Sequence, residues 1–194
     1  MSDRHRQART IIFLGISGSG KGTQAAKLLK ALPRAKQIST GEGLRRMALR
    51  KNLVGGYIRE ILNHGNLAPY WAPTSIWLSE FLERLKGDEP LVFDGAPRRI
   101  EEAKMLDDFM KDVGRPAPFA VYLRVSQRSA LRRLLERGRS DDNRRAIAAR
   151  FRFFRTDVHP VIRYYQHRTR LAVINGDQSV EDVWRDIKKA LRLR

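Results

Sequence analysis

Gly15-Ile16-Ser17-Gly18-Ser19-Gly20-Lys21-Gly22-Thr23-Gln24 follows the apolar run Thr10–Leu14 and opens a segment of helical periodicity. A strand, a glycine-rich turn and a helix, in that order, make a phosphate cradle. Residues 15–21 fit G-x-x-x-x-G-K, with the usual hydroxyl delayed by one position to Thr23. The glycines let successive N–H groups turn inward, and the helix aims its positive end at the bound anion. Lys21 supplies a point charge for the outer phosphates. The stretch predicts a site for a nucleoside polyphosphate.

Outward from the cradle, short apolar runs at residues 11–14, 37–39, 91–93, 119–125 and 171–174 alternate with segments of 3.6-residue periodicity. Residues 21–32 stop at Pro33 and residues 74–86 stop at Gly87. Ser126 caps a helix that runs to Gly138, and Ser179 with Asp182 forms a capping-box pattern before the last helix. Such alternation predicts an α/β fold, a five-stranded parallel sheet with helices on both faces. Between Gly41 and Pro73 the helical pieces are shorter and glycines denser, which marks a small mobile insertion. The expected organisation is one domain: a core of residues 10–40 and 74–194, an insertion at 41–73 and a short lid loop at 138–142.

At 194 residues the chain is long enough to bury on the order of 70% of its extended surface. It has no cysteine, which excludes disulfides and thiolate metal sites. No apolar run approaches the roughly 20 residues that cross a bilayer. The basic start at residues 1–9 has no apolar stretch of a secretory signal. The expectation is therefore a cytoplasmic protein with no membrane partner. The charge is unusual: 39 basic against 21 acidic residues, a net +18. Residues 124–155 alone hold eleven arginines and three acids, Glu136, Asp141 and Asp142. A site for anionic substrates accounts for part of this. The remainder is a solvated surface, an adaptation to heat or salt, or a nucleic-acid footprint that no binding motif accompanies.

A second constellation is Pro90-Leu91-Val92-Phe93-Asp94-Gly95-Ala96-Pro97-Arg98. Here an apolar strand delivers a carboxylate at its end, where it can hold Mg²⁺ or a coordinated water beside the phosphates. Arg98 follows in a proline-stiffened turn, and its planar fork suits a phosphate bidentately. The bland alternative is a strand end with a surface arginine. Two further pieces are Ser39-Thr40-Gly41-Glu42-Gly43-Leu44-Arg45 and Arg137-Gly138-Arg139-Ser140-Asp141-Asp142-Asn143.

Together the four pieces resemble the adenylate kinase family of nucleoside monophosphate kinases, in the family's order, from Ile11 to about Leu191. The resemblance implies ATP as phosphoryl donor, a monophosphate acceptor and Mg²⁺. It places Gly18, Ser19, Gly20, Lys21, Gly22, Thr23, Arg133 and Arg137 on the donor. Thr40, Arg45, Leu67, Gly95, Arg98, Glu102, Arg139 and Arg150 fall on the acceptor, and Asp94 (through water) and Thr23 on the metal. Lys21, Arg98, Arg137, Arg139 and Arg150 are the implied catalytic set. No general base is needed, and His5, His64, His159 and His167 sit in none of these motifs.

Three departures from the family pattern matter. Ser17 replaces the cradle proline. The lid is a few residues shorter than in the family's short-lid members. Glu102 stands where a glutamine reads the acceptor adenine, and Ala96 replaces a nearby aromatic. An ionised carboxylate only accepts hydrogen bonds, so it faces the adenine N1 lone pair and suits guanine better. Alternatively, Glu102 turns outward to Arg99 or another arginine. The expected activity is ATP + AMP ⇌ 2 ADP by a monomer, with Thr40 favouring AMP. The alternatives are another acceptor, GMP first, or a nucleotide-dependent ATPase acting on RNA or ribosomes.

Overall fold

A computed structural model describes residues 9–139 and 142–193. The strand β1 (Thr10–Leu14) is buried at every position, because it lies at the centre of a parallel sheet ordered β2-β3-β1-β4-β5. Its neighbours are β3 (Leu91–Asp94) and β4 (Phe119–Arg124), which set Phe93 and Ala120 beside Ile12. The edges are β2 (Lys36–Ser39) and β5 (Leu171–Asn175). The helices are α1 (Lys21–Ala31), α2 (Thr40–Ala48), α3 (Leu53–Asn63), α4 (Trp71–Arg84), α5 (Ile100–Asp112), α6 (Gln127–Arg137), α7 (Arg144–Phe153), α8 (His159–His167) and α9 (Val180–Leu191). A π-helical turn (Phe154–Val158) joins α7 to α8.

Successive strand residues point to opposite faces of the sheet, and both faces are covered. Ile12, Leu14, Leu91 and Phe93 pack against Trp77 of α4, Leu106 and Met110 of α5 and Tyr165 of α8. Ile11, Phe13, Val92 and Val121 pack against Ala25 and Leu28 of α1 and Val183 and Ile187 of α9. Burial on both sides is why these strands are continuous apolar runs instead of alternating ones. Each fully buried Leu or Ile here contributes about 1.5–3 kcal/mol.

Local signals fall where the residues dictate. Ser126 Oγ accepts from Ser129 N at 3.2 Å, and Ser179 Oγ accepts from Asp182 N at 3.1 Å. Leu32 is extended (φ −111°), as the residue before Pro33 must avoid the helical region, so α1 ends at Ala31. The helix α4 begins at Trp71, ahead of the expected residue 74: Pro73 sits in its first turn, where its missing N–H costs nothing.

Residues 41–73 form α2, α3 and the start of α4 around a core of their own, Leu44, Ala48, Ile58, Ala68 and Ala72. Asn143 Nδ2 donates to the Asn63 carbonyl at 3.3 Å and ties this insertion to the N-terminus of α7. The link between α6 and α7 begins at Gly138, left-handed at φ 60°, and ends at Asn143, whose Oδ1 caps Ala146 N at 2.8 Å. Ser140 and Asp141 of the expected lid lie outside the described residues, as does His5. Of the arginine-rich segment, Arg124, Arg128, Arg132, Arg144, Arg145, Arg152 and Arg155 are exposed.

Candidate active site

The chain builds β2 and β3 on one side of β1 and then crosses to build β4 on the other. Ligand clefts form at such a switch point, outside the carboxyl ends of the strands. A cleft of about 710 Å³ lies there. Its walls bring together Gly18, Gly20, Lys21, Gly22 and Thr23 of the cradle, Arg45 of α2, Asp94 at the end of β3, and Gly95 and Arg98 after it. Arg133, Arg137, Arg139 and Arg150 close it from α6, the lid and α7.

In the cradle, Gly18 has φ 84°, and a side chain there would collide with the Ala130 carbonyl and Leu134 of α6. Glycine thus lets α6 close against the loop. Lys21 Nζ donates to the carbonyls of Gly15 (2.8 Å) and Ile16 (2.9 Å). Ser19 is buried, its N–H donates to the Ile16 carbonyl at 3.0 Å, and its Oγ accepts from Lys21 Nζ at 3.4 Å. Burial pushes the Lys21 ammonium down from 10.5 to about 8; Asp94 opposes this, while Arg98 and Arg137 add to it.

Asp94 ends β3 with Oδ2 3.5 Å from where a Gly22 side chain would begin, so its carboxylate flanks the start of α1. Mg²⁺ takes one or two protein oxygens and fills its other positions with waters and phosphate oxygens. Asp94 and the Thr23 hydroxyl on the cleft wall fit that donor set. Among the described residues no group of three or more His, Cys, Asp or Glu forms a closed cage.

Arg98 donates from Nε to the Gly95 carbonyl at 2.7 Å and lies 5.7 Å above the Phe153 ring. Burial lowers its guanidinium against the pull of Glu102 and Asp94, with Arg150 and Arg45 pressing the same way as burial. A concentration of cations around one pocket is the arrangement that binds a doubly charged phosphate. Gly95 (φ 96°) is needed at the turn because a side chain there would stand 2.8 Å from Thr40 Oγ1.

Asp142, the last acid of the lid, was not assigned a role by the sequence, and it organises the arginines. Its side chain is 1% exposed. Arg137 meets it bidentately at 2.9 and 2.8 Å, and Arg150 Nη1 meets it at 2.6 Å. Burial works to raise the carboxyl, but the two arginines outweigh it and hold it below the usual carboxylate range. Asp142→Asn keeps one acceptor and loses the charge, so a loss of about 2 kcal/mol in stability is expected, the scale of a hydrogen bond to an ionised group. Because the folded pKa lies below the unfolded 3.8, the wild-type contribution is complete above that value and lost on acidification through the folded one. Urea melts of the two proteins at pH 7 and pH 3 check this; the difference should shrink at the lower pH.

Glu102 turns inward, not outward to Arg99. It is 3% exposed, and Oε2 accepts from Arg98 N at 2.8 Å. Arg99 pairs instead with Asp157 at 3.4 Å. Thr40 is buried behind the Gly95 turn. Leu67 is half-buried after α3, with Gly65 and Asn66 before it on the cleft wall. Arg133 donates to the Gly176 carbonyl at 2.9 Å from its place on the wall. Gln37 and Phe153, which carry no sequence motif, also line the cleft, as do Ser39 and Glu42 of the segment that holds Arg45. Asp142 carried no signal that set it apart from Glu136 and Asp141 in the same arginine-rich segment. His64, His159 and His167 are exposed.

The adenylate kinase family model matches residues 13–170. Adenylate kinase 1 of a Nostoc species is 35% identical over 181 residues, covering 93% of this chain and 97% of that protein. Adenylate kinase of Deinococcus deserti is 34% identical over 196 residues (95% and 97%), and that of Thermus thermophilus 33% over 187 residues (94% and 97%). With a parallel sheet of the expected form and the four motifs converging on one cleft, this chain belongs to the adenylate kinase family.

Proposed function

We propose that the protein transfers the terminal phosphoryl group of ATP to AMP, reversibly and with Mg²⁺, giving two ADP. The observation that carries the reading is the convergence of two sets of phosphate-binding groups on one cleft. The cradle with Lys21, the pair Arg45 and Arg98, and Arg137, Arg139 and Arg150 all line it. A plain ATPase needs no second phosphate clamp. The relatives named above are adenylate kinases over nearly their full length.

In this reading the cradle N–H groups and Lys21 hold the β- and γ-phosphates of the donor. Arg98, stacked on Phe153, and Arg45 grip the acceptor phosphate so that its oxygen lies in line with the transferring group. Arg137 and Arg150, held by Asp142, and Arg139 neutralise charge that spreads over the equatorial oxygens. Phosphoryl transfer demands little covalent work from a protein, so positioning and charge stabilisation supply most of the rate. Asp94 (through water) and Thr23 would hold Mg²⁺, which would supply positive charge to the donor's phosphates. The lid's shortness leaves water exclusion to the arginines and the insertion.

No described helix is long and apolar enough to cross a membrane. The reading is of a monomer acting in the cytoplasm. A coupled assay with ATP and each of AMP, GMP, CMP, UMP and dAMP tests it. ADP formation that depends on AMP supports the reading; ATP hydrolysis indifferent to every monophosphate overturns it.

A further inference from the structure

We propose that Glu102 reads the acceptor's base and that its proton decides which purine is read: adenine when the carboxyl is protonated, guanine when it is ionised. The inference rests on the kinase reading above. Its starting point is a pair of buried polar atoms with no hydrogen-bond partner among the described residues, Glu102 Oε1 and Thr40 Oγ1. Glu102 is 3% exposed and Thr40 1%. Both border the turn from Gly95 to Arg98, whose two end residues line the cleft. Thr40 abuts Gly95, and Glu102 Oε2 accepts the Arg98 N–H. Buried polar atoms in folded proteins find partners. A planar base edge entering between α2 and α5 supplies one to each.

The carboxyl has one oxygen fixed and one open. Oε2 keeps a second lone pair beyond the Arg98 bond. With a proton on Oε1 the group presents a donor beside an acceptor, which match adenine N1 and the 6-amino group. Without it the group presents two acceptors, which match N1–H and the 2-amino group of guanine. The charged groups facing Glu102 are Arg98 and Arg99. Around these stand Asp157 of the π-helical turn on Arg99, and Asp94, Arg45 and Arg150 on Arg98. From α8, Tyr164 is engaged with Asp107 of α5, which also pairs with Arg170. Burial outweighs the two arginines and raises Glu102 above the usual carboxylate range, which moves its proton exchange toward neutral pH.

The test is the ratio of kcat/KM for AMP to kcat/KM for GMP, measured from about pH 6 to 9, for wild type and Glu102→Gln. Titration of Lys21 and of the substrate phosphate is common to both acceptors and cancels. The wild-type ratio should fall about tenfold per pH unit, since each base uses one protonation state. The Gln variant, with a permanent donor and acceptor, should give a flat ratio that favours AMP. Titration calorimetry in buffers of different ionisation enthalpy should show more proton uptake when AMP binds wild type than when it binds the variant. A flat wild-type ratio, or proton exchange equal to that of the variant, overturns the proposal while leaving the kinase reading intact. Turnover with neither nucleotide at any pH, in folded protein, overturns the kinase reading and the proposal with it. Should Glu102→Gln fail to fold, the wild-type ratio decides alone.

Discussion

Lys21→Ala should leave the fold intact and lower kcat for phosphoryl transfer by about 10²–10³-fold, the loss typical of removing one preorganised charge-stabilising group. The ammonium sits at the mouth of the cradle, within 2.9 Å of two loop carbonyls. In the proposed reaction it would face the negative charge of the transferring group. The fold should tolerate its removal because Arg98 and Arg137 press on it unfavourably. A coupled assay and a thermal melt read the two effects. A folded variant that keeps more than about a tenth of wild-type kcat would remove Lys21 from the catalytic set.

The same residue predicts the alkaline limb. The charged form is the working one, and burial sets the folded pKa at about 8 against 10.5. In wild type, kcat/KM for ATP should therefore fall as pH rises through about 8. Stability should move the other way: between those two values the unfolded chain binds the extra proton, so folding becomes more favourable with rising pH. Lys21→Arg keeps its charge throughout and should lack both trends.

Arg98→Ala should raise KM for AMP by roughly thirty- to several-hundred-fold, about 2–4 kcal/mol, the cost of truncating a hydrogen-bonded charge pair. KM for ATP should change by less than about threefold. The side chain is prepared for that task. Its Nε is anchored on the Gly95 carbonyl, its plane lies over Phe153, and Asp94 and Glu102 offset part of the cost of burying it. The variant keeps the backbone N–H that holds Glu102, so the base-reading turn survives the change. Initial rates with each nucleotide varied in turn check the result. Equal weakening toward ATP and AMP would show that Arg98 does not belong to the acceptor end. Arg98→Lys should recover little, since an ammonium cannot form the planar two-point contact.

The chain's own order of residues determined the strand–turn–helix of the cradle, the five strands and the caps at Ser126 and Ser179. These rest on local rules: period-two and period-3.6 apolar spacing, backbone freedom at glycine, and side-chain oxygens accepting from N–H groups two or three residues on. Helix boundaries moved where a proline acted over its near neighbours, at Leu32 and Pro73, and at the end of α4, where Leu85 is already extended. What the tertiary structure alone decided are the relations between segments far apart in sequence. Asp142 is one acid in a basic loop until α6 and α7 bring Arg137 and Arg150 onto its two oxygens. Glu102 is compatible with an exposed ion pair until the Arg98 N–H draws it inward and Asp157 takes Arg99. Charge and hydrogen-bond partners are set by distance in space, which local spacing does not encode, whereas backbone periodicity is written residue by residue.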